Sequence, residues 1–240
     1  MTELSQTCCK METLDIKGPS SWNALNRKQL YFVAGLMDLN LDRETLLLTA
    51  FCHFTGVHVV HDINGITFEL GKKRFKMQPY EVQYFCNKMG FLLDEKPVDI
   101  VNPTGINGHL IDIRFGSYFY ADSMMRRFDM TGERKFVKKA LRELGERTVF
   151  LSRRRTLAVR LWWAGVQGYL QNLYPLVFPK GEGEGSTKSP FHILQDLLLM
   201  LNENRPQENK DIEEASAHDV LAAIENRIDQ YNKMKEMMKK

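Results

Sequence analysis

The chain has 240 residues, 43% hydrophobic and 10% aromatic, which is enough for a sizeable core and excludes an intrinsically disordered chain. A net charge of +3 and a pI of about 8.6 do not mark a dedicated polyanion binder. The charge is segregated, with 12 Arg or Lys against 4 Asp or Glu from Arg126 to Arg160, and 4 against 11 from Glu182 to Asp229. Such blocks attract one another or face different partners.

Residues 1–21 are polar, end near Gly18-Pro19-Ser20-Ser21, and are expected to form a flexible arm. A helical core domain is expected over 22–178. Asn26 can cap a first helix with Gln29 three residues later, and Leu30, Val33, Leu36 and Met37 fall on one face. A second helix follows Asn40 or Asp42, turns Leu46, Leu47, Phe51 and Phe54 inward and stops at Gly56. The period then changes from helical to alternating. VHVVHDI, Asn64-Gly65 and ITFEL predict a β-hairpin with a type I′ turn, within 57–77, which KKRFKM can extend. Pro79 opens a third helix, and LIDIRF (110–115) alternates as one more short strand.

Ser117–Arg127 and Glu133–Leu144 read as helices separated by a turn at Asp129–Gly132. The central helix is SRRRTLAVRLWWAGVQGYLQNLY, residues 152–174. Ser152 caps it, Pro175 ends it, and Leu157, Leu161, Trp162, Val166, Tyr169, Leu170 and Leu173 lie on one broad face. Arg160, Gln167, Gln171 and Asn172 break it well short of the roughly 18 apolar residues of a membrane span. GEGEGSTKSP lies in a flexible linker spanning 179–190. A C-terminal helical segment, 191–240, ends in a helix with Leu221, Ile224, Ile228, Tyr231 and Met234 on one side. The fold class is therefore mainly α (α+β), with a small antiparallel sheet.

Chemical signatures are sparse. Cys52, His53, His58, His61 and Cys86 fit no paired zinc spacing, and His58 and His61 on a strand point to opposite faces. No phosphate-binding loop, nucleophile elbow or zincin motif occurs. No catalytic residue, metal or cofactor is expected. The four cysteines form no CxxC pair, and the N-terminus lacks a signal-peptide pattern, so a reducing cytoplasm fits.

Two surfaces are candidates for binding. The apolar C-terminal segment, with Phe191, Leu194, Leu197, Leu198, Leu221, Ile224, Ile228, Tyr231 and Met234, suits docking into a partner protein's groove. Arg126, Arg127, Lys138, Lys139, Arg153, Arg154 and Arg155, with Phe128, Phe136 and Phe150 interleaved, offer an alternative nucleic-acid face over 126–155.

The order of GPSSWNALNRKQLYFVAGLM, AFCHFTG, LWWAGVQGYLQNLYPLVF, LLLMLNENRP and AHDVL resembles proteins from tail-gene clusters of prophages in gut bacteria, commonly encoded just upstream of the tape-measure protein. The resemblance spans nearly the whole chain. It implies a helical tail assembly chaperone in the cytoplasm of the host bacterium. Such a protein is non-enzymatic, binds tape-measure or tail-tube proteins, and uses no membrane. The hairpin at 57–70 is an addition to the all-helical chaperone pattern.

Overall fold

The computed structural model describes residues 16–62, 65–94, 100–147, 150–178, 199, 201 and 209–238, side chains at 61, 62, 65 and 66 excepted. The protein is mainly α with one small antiparallel sheet. The first elements follow local chemistry. Helix α1 (Arg27–Met37) opens with a capping box, in which Asn26 Oδ1 accepts from Gln29 N at 3.0 Å and Gln29 Oε1 accepts from Asn26 N at 2.8 Å. Helix α2 (Arg43–Thr55) starts at Asp42, whose carboxylate accepts from Thr45 N. It stops at Gly56, whose φ of 73° a side chain would oppose.

Strands β1 (Val57–Asp62), β2 (Gly65–Leu70) and β3 (Lys73–Phe75) form the sheet in that order. The register pairs Asp62 with Gly65, so Gly65 begins β2 and is not the second turn residue expected from Asn64-Gly65; Asn64 lies outside the described residues. Val57 with Leu70 and Val59 with Phe68 set that register, and a one-residue slip would send each side chain to the other face. Phe68 pairs onward with Phe75 and stacks on it. Helix α3 (Pro79–Lys88) carries Pro at its first turn, where no N–H is missed.

Helix α4 (Phe115–Thr131) is longer at both ends than expected. The predicted turn at Asp129–Gly132 narrows to Gly132, whose φ is 70°. The predicted strand at 110–115 does not form. Leu110 sits at φ 56°, and Phe115 already begins the helix. What remains is one antiparallel bridge, Arg114 to Ser216, flanked by Phe115 N to Ala215 O and Ala217 N to Ile113 O, both 2.8 Å. Residues 110–113 form a turn closed by Ile113 N to Leu110 O at 3.2 Å, and only the end of the segment pairs with the chain near Ser216.

Helices α5 (Arg134–Glu143) and α6 (Arg153–Leu173) complete the helical layer; α4 packs on α5 and α1 on α6. Ser152 caps α6, accepting from Arg155 N. The buried side of α6 is rotated and wider than the expected face. Thr156, Ala158, Val159, Trp162, Trp163, Gly165, Val166 and Leu170 are buried, whereas Leu157, Leu161 and Tyr169 are half-buried and Leu173 is exposed. The reason is that α6 has neighbours on several sides, among them α1, α5 and the segment at Ile100.

Gly165 permits the closest of these approaches, since a Cβ there would meet the Ile100 side chain at 3.0–3.4 Å. Gly165→Val is expected to destabilise by about 1–3 kcal/mol through overpacking. Gly165→Ala should be nearer neutral, because a helix-propensity gain of about 1 kcal/mol offsets the contact. Urea unfolding midpoints check both, and a wild-type midpoint for the valine variant would show that Ile100 moves aside.

The ends of the chain also depart from expectation. In the predicted arm, Ile16 packs against the core and a Cβ on Gly18 would sit 3.3 Å from Met89. The predicted linker, 179–190, lies outside the described residues. Helix α7 (Asn209–Glu214) rests on α4, so close that a Cβ on Gly116 would lie 3.3 Å from Glu213 backbone oxygen. Helix α8 (Ala217–Met237) buries Ala217, Val220, Leu221 and Ile224 in the same core as α6. No described helix is long and apolar enough to cross a membrane.

Candidate functional site

A cleft of about 390 Å³ opens between α4 and α6, with Asp122, Arg126, Asp129, Arg160, Trp163 and Gln167 in its walls. Helical spacing assembles it: Asp122 and Arg126 are four apart on α4, and Trp163 and Gln167 are four apart on α6, so each pair shares one face. Asp122 is the hub. Its Oδ1 accepts from Trp163 Nε1 at 3.3 Å and Gln167 Nε2 at 3.0 Å, while Oδ2 accepts from Arg126 Nε at 2.7 Å. Beneath it Tyr118 is buried, its hydroxyl 3.5 Å from Gln167 Oε1. Burial pushes the Tyr118 phenol far above its ordinary range, and the neighbouring Asp122 charge adds to the shift. Asp122 in turn holds Arg126 still more firmly protonated. At the mouth, Arg160 Nε bonds Asp129 Oδ1 at 2.7 Å.

Several cations of the expected nucleic-acid face have partners within the chain. Arg126 is bound to Asp122, Arg153 pairs with Asp38 at the C-cap of α1 at 2.7 Å, and Arg155 pairs with Glu146 at 3.2 Å. Glu146 also accepts from Gly105 N at 2.7 Å, which makes Arg155 part of a clasp on the 100–106 loop. Arg154 lies along Gly35, where a Cβ would meet its Nε at 3.3 Å. Arg127 sits over the Phe136 ring at 6.0 Å. Lys139 and Arg127 share a second cleft with Glu143, Glu213 and Glu214, where basic α4–α5 meets acidic α7. Much of the basic run is thus engaged within the chain.

A scan against protein-family models, a search of curated proteins and a search of solved structures each found no match to this chain. The site must therefore be understood from its own geometry.

The C-terminal apolar stripe divides in two. Leu221 and Ile224 are 2% and 0% exposed inside the core, which corrects their assignment to a partner-facing surface. They are held there by polar contacts at both flanks. His218 Nε2 lies 2.6 Å from the His109 carbonyl, so that nitrogen carries hydrogen, and Nδ1 lies 2.8 Å from Tyr174 Oη. Glu225 accepts from Leu176 N and Val177 N at 2.9–3.1 Å, binding α8 to the chain beyond α6. Ile228 is half-buried at the edge. Tyr231 and Met234 are 60% and 52% exposed, and Met237 and Met238 continue them outward. Phe191, Leu194, Leu197 and Leu198 lie outside the described residues, while Leu201 nearby packs against the core.

Among the described residues no group of three or more His, Cys, Asp or Glu is placed to hold a metal ion. His53 stacks on Phe32 at 3.5 Å between ring centres. Burial raises the thiol pKa values of Cys52 and Cys86, as for inert structural cysteines.

Proposed function

We propose that this protein is a non-enzymatic interaction factor of phage tail assembly, which docks through the outer half of α8 onto an apolar helix of a tape-measure or tail-tube protein. One observation carries the docking element. A single helix is fixed into the core by Leu221 and Ile224, and its stripe then runs on, exposed, through Tyr231, Met234 and Met238. Spacings of three and four residues keep these side chains on one face. Methionine adapts to varied apolar surfaces, and a helix face of this kind suits an i, i+3, i+7 contact with another helix. The tail-assembly context is supported by the resemblance of the segment order to prophage tail-cluster proteins.

Co-expression with the tape-measure protein of the same gene cluster tests the proposal. Tyr231→Glu combined with Met234→Glu changes two exposed positions, so stability should stay within about 0.5 kcal/mol of wild type per site. Co-purification should be lost. Retained co-purification by the folded double variant would refute the assignment of α8 as the docking element.

A further inference from the structure

Both arginines of the α4–α6 cleft line the same cavity of about 390 Å³, a volume within the range of small-ligand sites. Each is bound to a carboxylate through Nε, Arg126 to Asp122 and Arg160 to Asp129. A guanidinium presents five N–H donors in a fixed fork. Among the described residues, the terminal nitrogens of Arg126 and Arg160 make no hydrogen bond. We propose that this cleft binds a small oxyanion, of the phosphate or carboxylate class, through the terminal guanidinium nitrogens of Arg126 and Arg160.

Three features favour that occupant. The Nε bonds orient the two forks before any ligand arrives, which lowers the ordering cost of binding. Asp122 already accepts from three donors, so it has little capacity left to compete for the same fork. Ala164 supplies only a methyl group and Gly168 no side chain to the α6 wall, which leaves room for a group of phosphate size. Guanidinium forks match oxyanions in geometry, and both are open to solvent, with the Arg126 and Arg160 side chains 61% and 40% exposed, so a ligand can reach them. The two aspartates neutralise the two arginines, so selectivity rests on the fork geometry and affinity is expected to be roughly millimolar.

Isothermal titration of the full chain with inorganic phosphate and, separately, with succinate tests this, with sodium chloride as the ionic control. A saturable response to at least one anion, beyond the chloride control, is the expected result. Phosphate alone would assign a phosphate-bearing ligand, and succinate alone a carboxylate-bearing one. Arg160→Gln should weaken binding about ten-fold or more by removing one charged fork. Asp129→Asn should tighten it several-fold by releasing Arg160 from its neutralising partner, an effect that a purely structural ion pair would not produce. Arg160 and Asp129 side chains are 40% and 43% exposed, so both variants should fold. No saturable response to either anion, or unchanged affinity in both variants, would overturn the proposal.

Discussion

Trp162→Ala should lower the unfolding free energy by about 3–5 kcal/mol, the largest loss expected from any single truncation in α6. Trp162 is 2% exposed and lies edge-on to Trp163, with ring centres 6.0 Å apart. Removing it leaves a cavity at the middle of the helix that the rest of the core surrounds. Against a total stability of about 5–15 kcal/mol, such a loss is a large share of the whole. Trp163 provides a graded comparison. Trp163→Phe keeps an aromatic ring and deletes the N–H donated to Asp122, so about 1 kcal/mol is expected. Guanidinium unfolding followed by circular dichroism measures both. If Trp162→Ala unfolds at the wild-type midpoint, α6 is not the centre of the core.

Ile224→Ala is expected to cost about 2–5 kcal/mol, whereas Met234→Ala, ten residues along the same stripe, should stay within about 0.5 kcal/mol of wild type. Ile224 is fully buried and Met234 is 52% exposed. The contrast locates the point at which α8 leaves the core. It also distinguishes two uses of one apolar face, since a helix held only by a partner would tolerate both changes in the isolated protein. Equal, small effects would mean that α8 is undocked in solution, and that Leu221 and Ile224 are free after all.

Much of the fold was legible where local chemistry decides it. The Asn26–Gln29 capping box, the Asp42 cap, the Gly56 stop, Pro79 and Ser152 all act on neighbours within a few residues, and each is where the sequence puts it. Alternation found β1 and β2, but the Asn64-Gly65 dipeptide misplaced the turn. Pairing of Val57 and Val59 with Leu70 and Phe68 fixes the register from a distance. LIDIRF failed for a related reason: it turns over Leu110–Ile113, and only its end pairs with residues near Ser216, about a hundred positions away, which no local pattern reports.

The candidate cleft was the least visible feature. Arg126 read as one more cation in a basic run, and Gln167 as an interruption in an apolar helix. The i, i+4 spacings Asp122–Arg126 and Trp163–Gln167 were present as signals. Their meaning depends on α4 lying against α6, which no single helix encodes. The partners of the basic run were equally hidden: only the fold brings Asp38 to Arg153 and Glu146 to Arg155.

The ties between α8 and the rest of the chain have a consequence for biosynthesis. His218 meets the carbonyl of a residue 109 positions earlier and the hydroxyl of one 44 positions earlier. Loop-closure entropy hardly separates the two, since the longer loop costs only about 0.8 kcal/mol more. Timing does separate them from everything upstream. A nascent chain can complete α1 to α3 and the sheet early, but the surface that Leu221 and Ile224 cover stays bare until α8 itself has been synthesised. Such exposed apolar surface is where misassembly and aggregation begin. Ribosome stalling, or a premature stop before Val220, should therefore yield aggregates rather than a smaller folded protein.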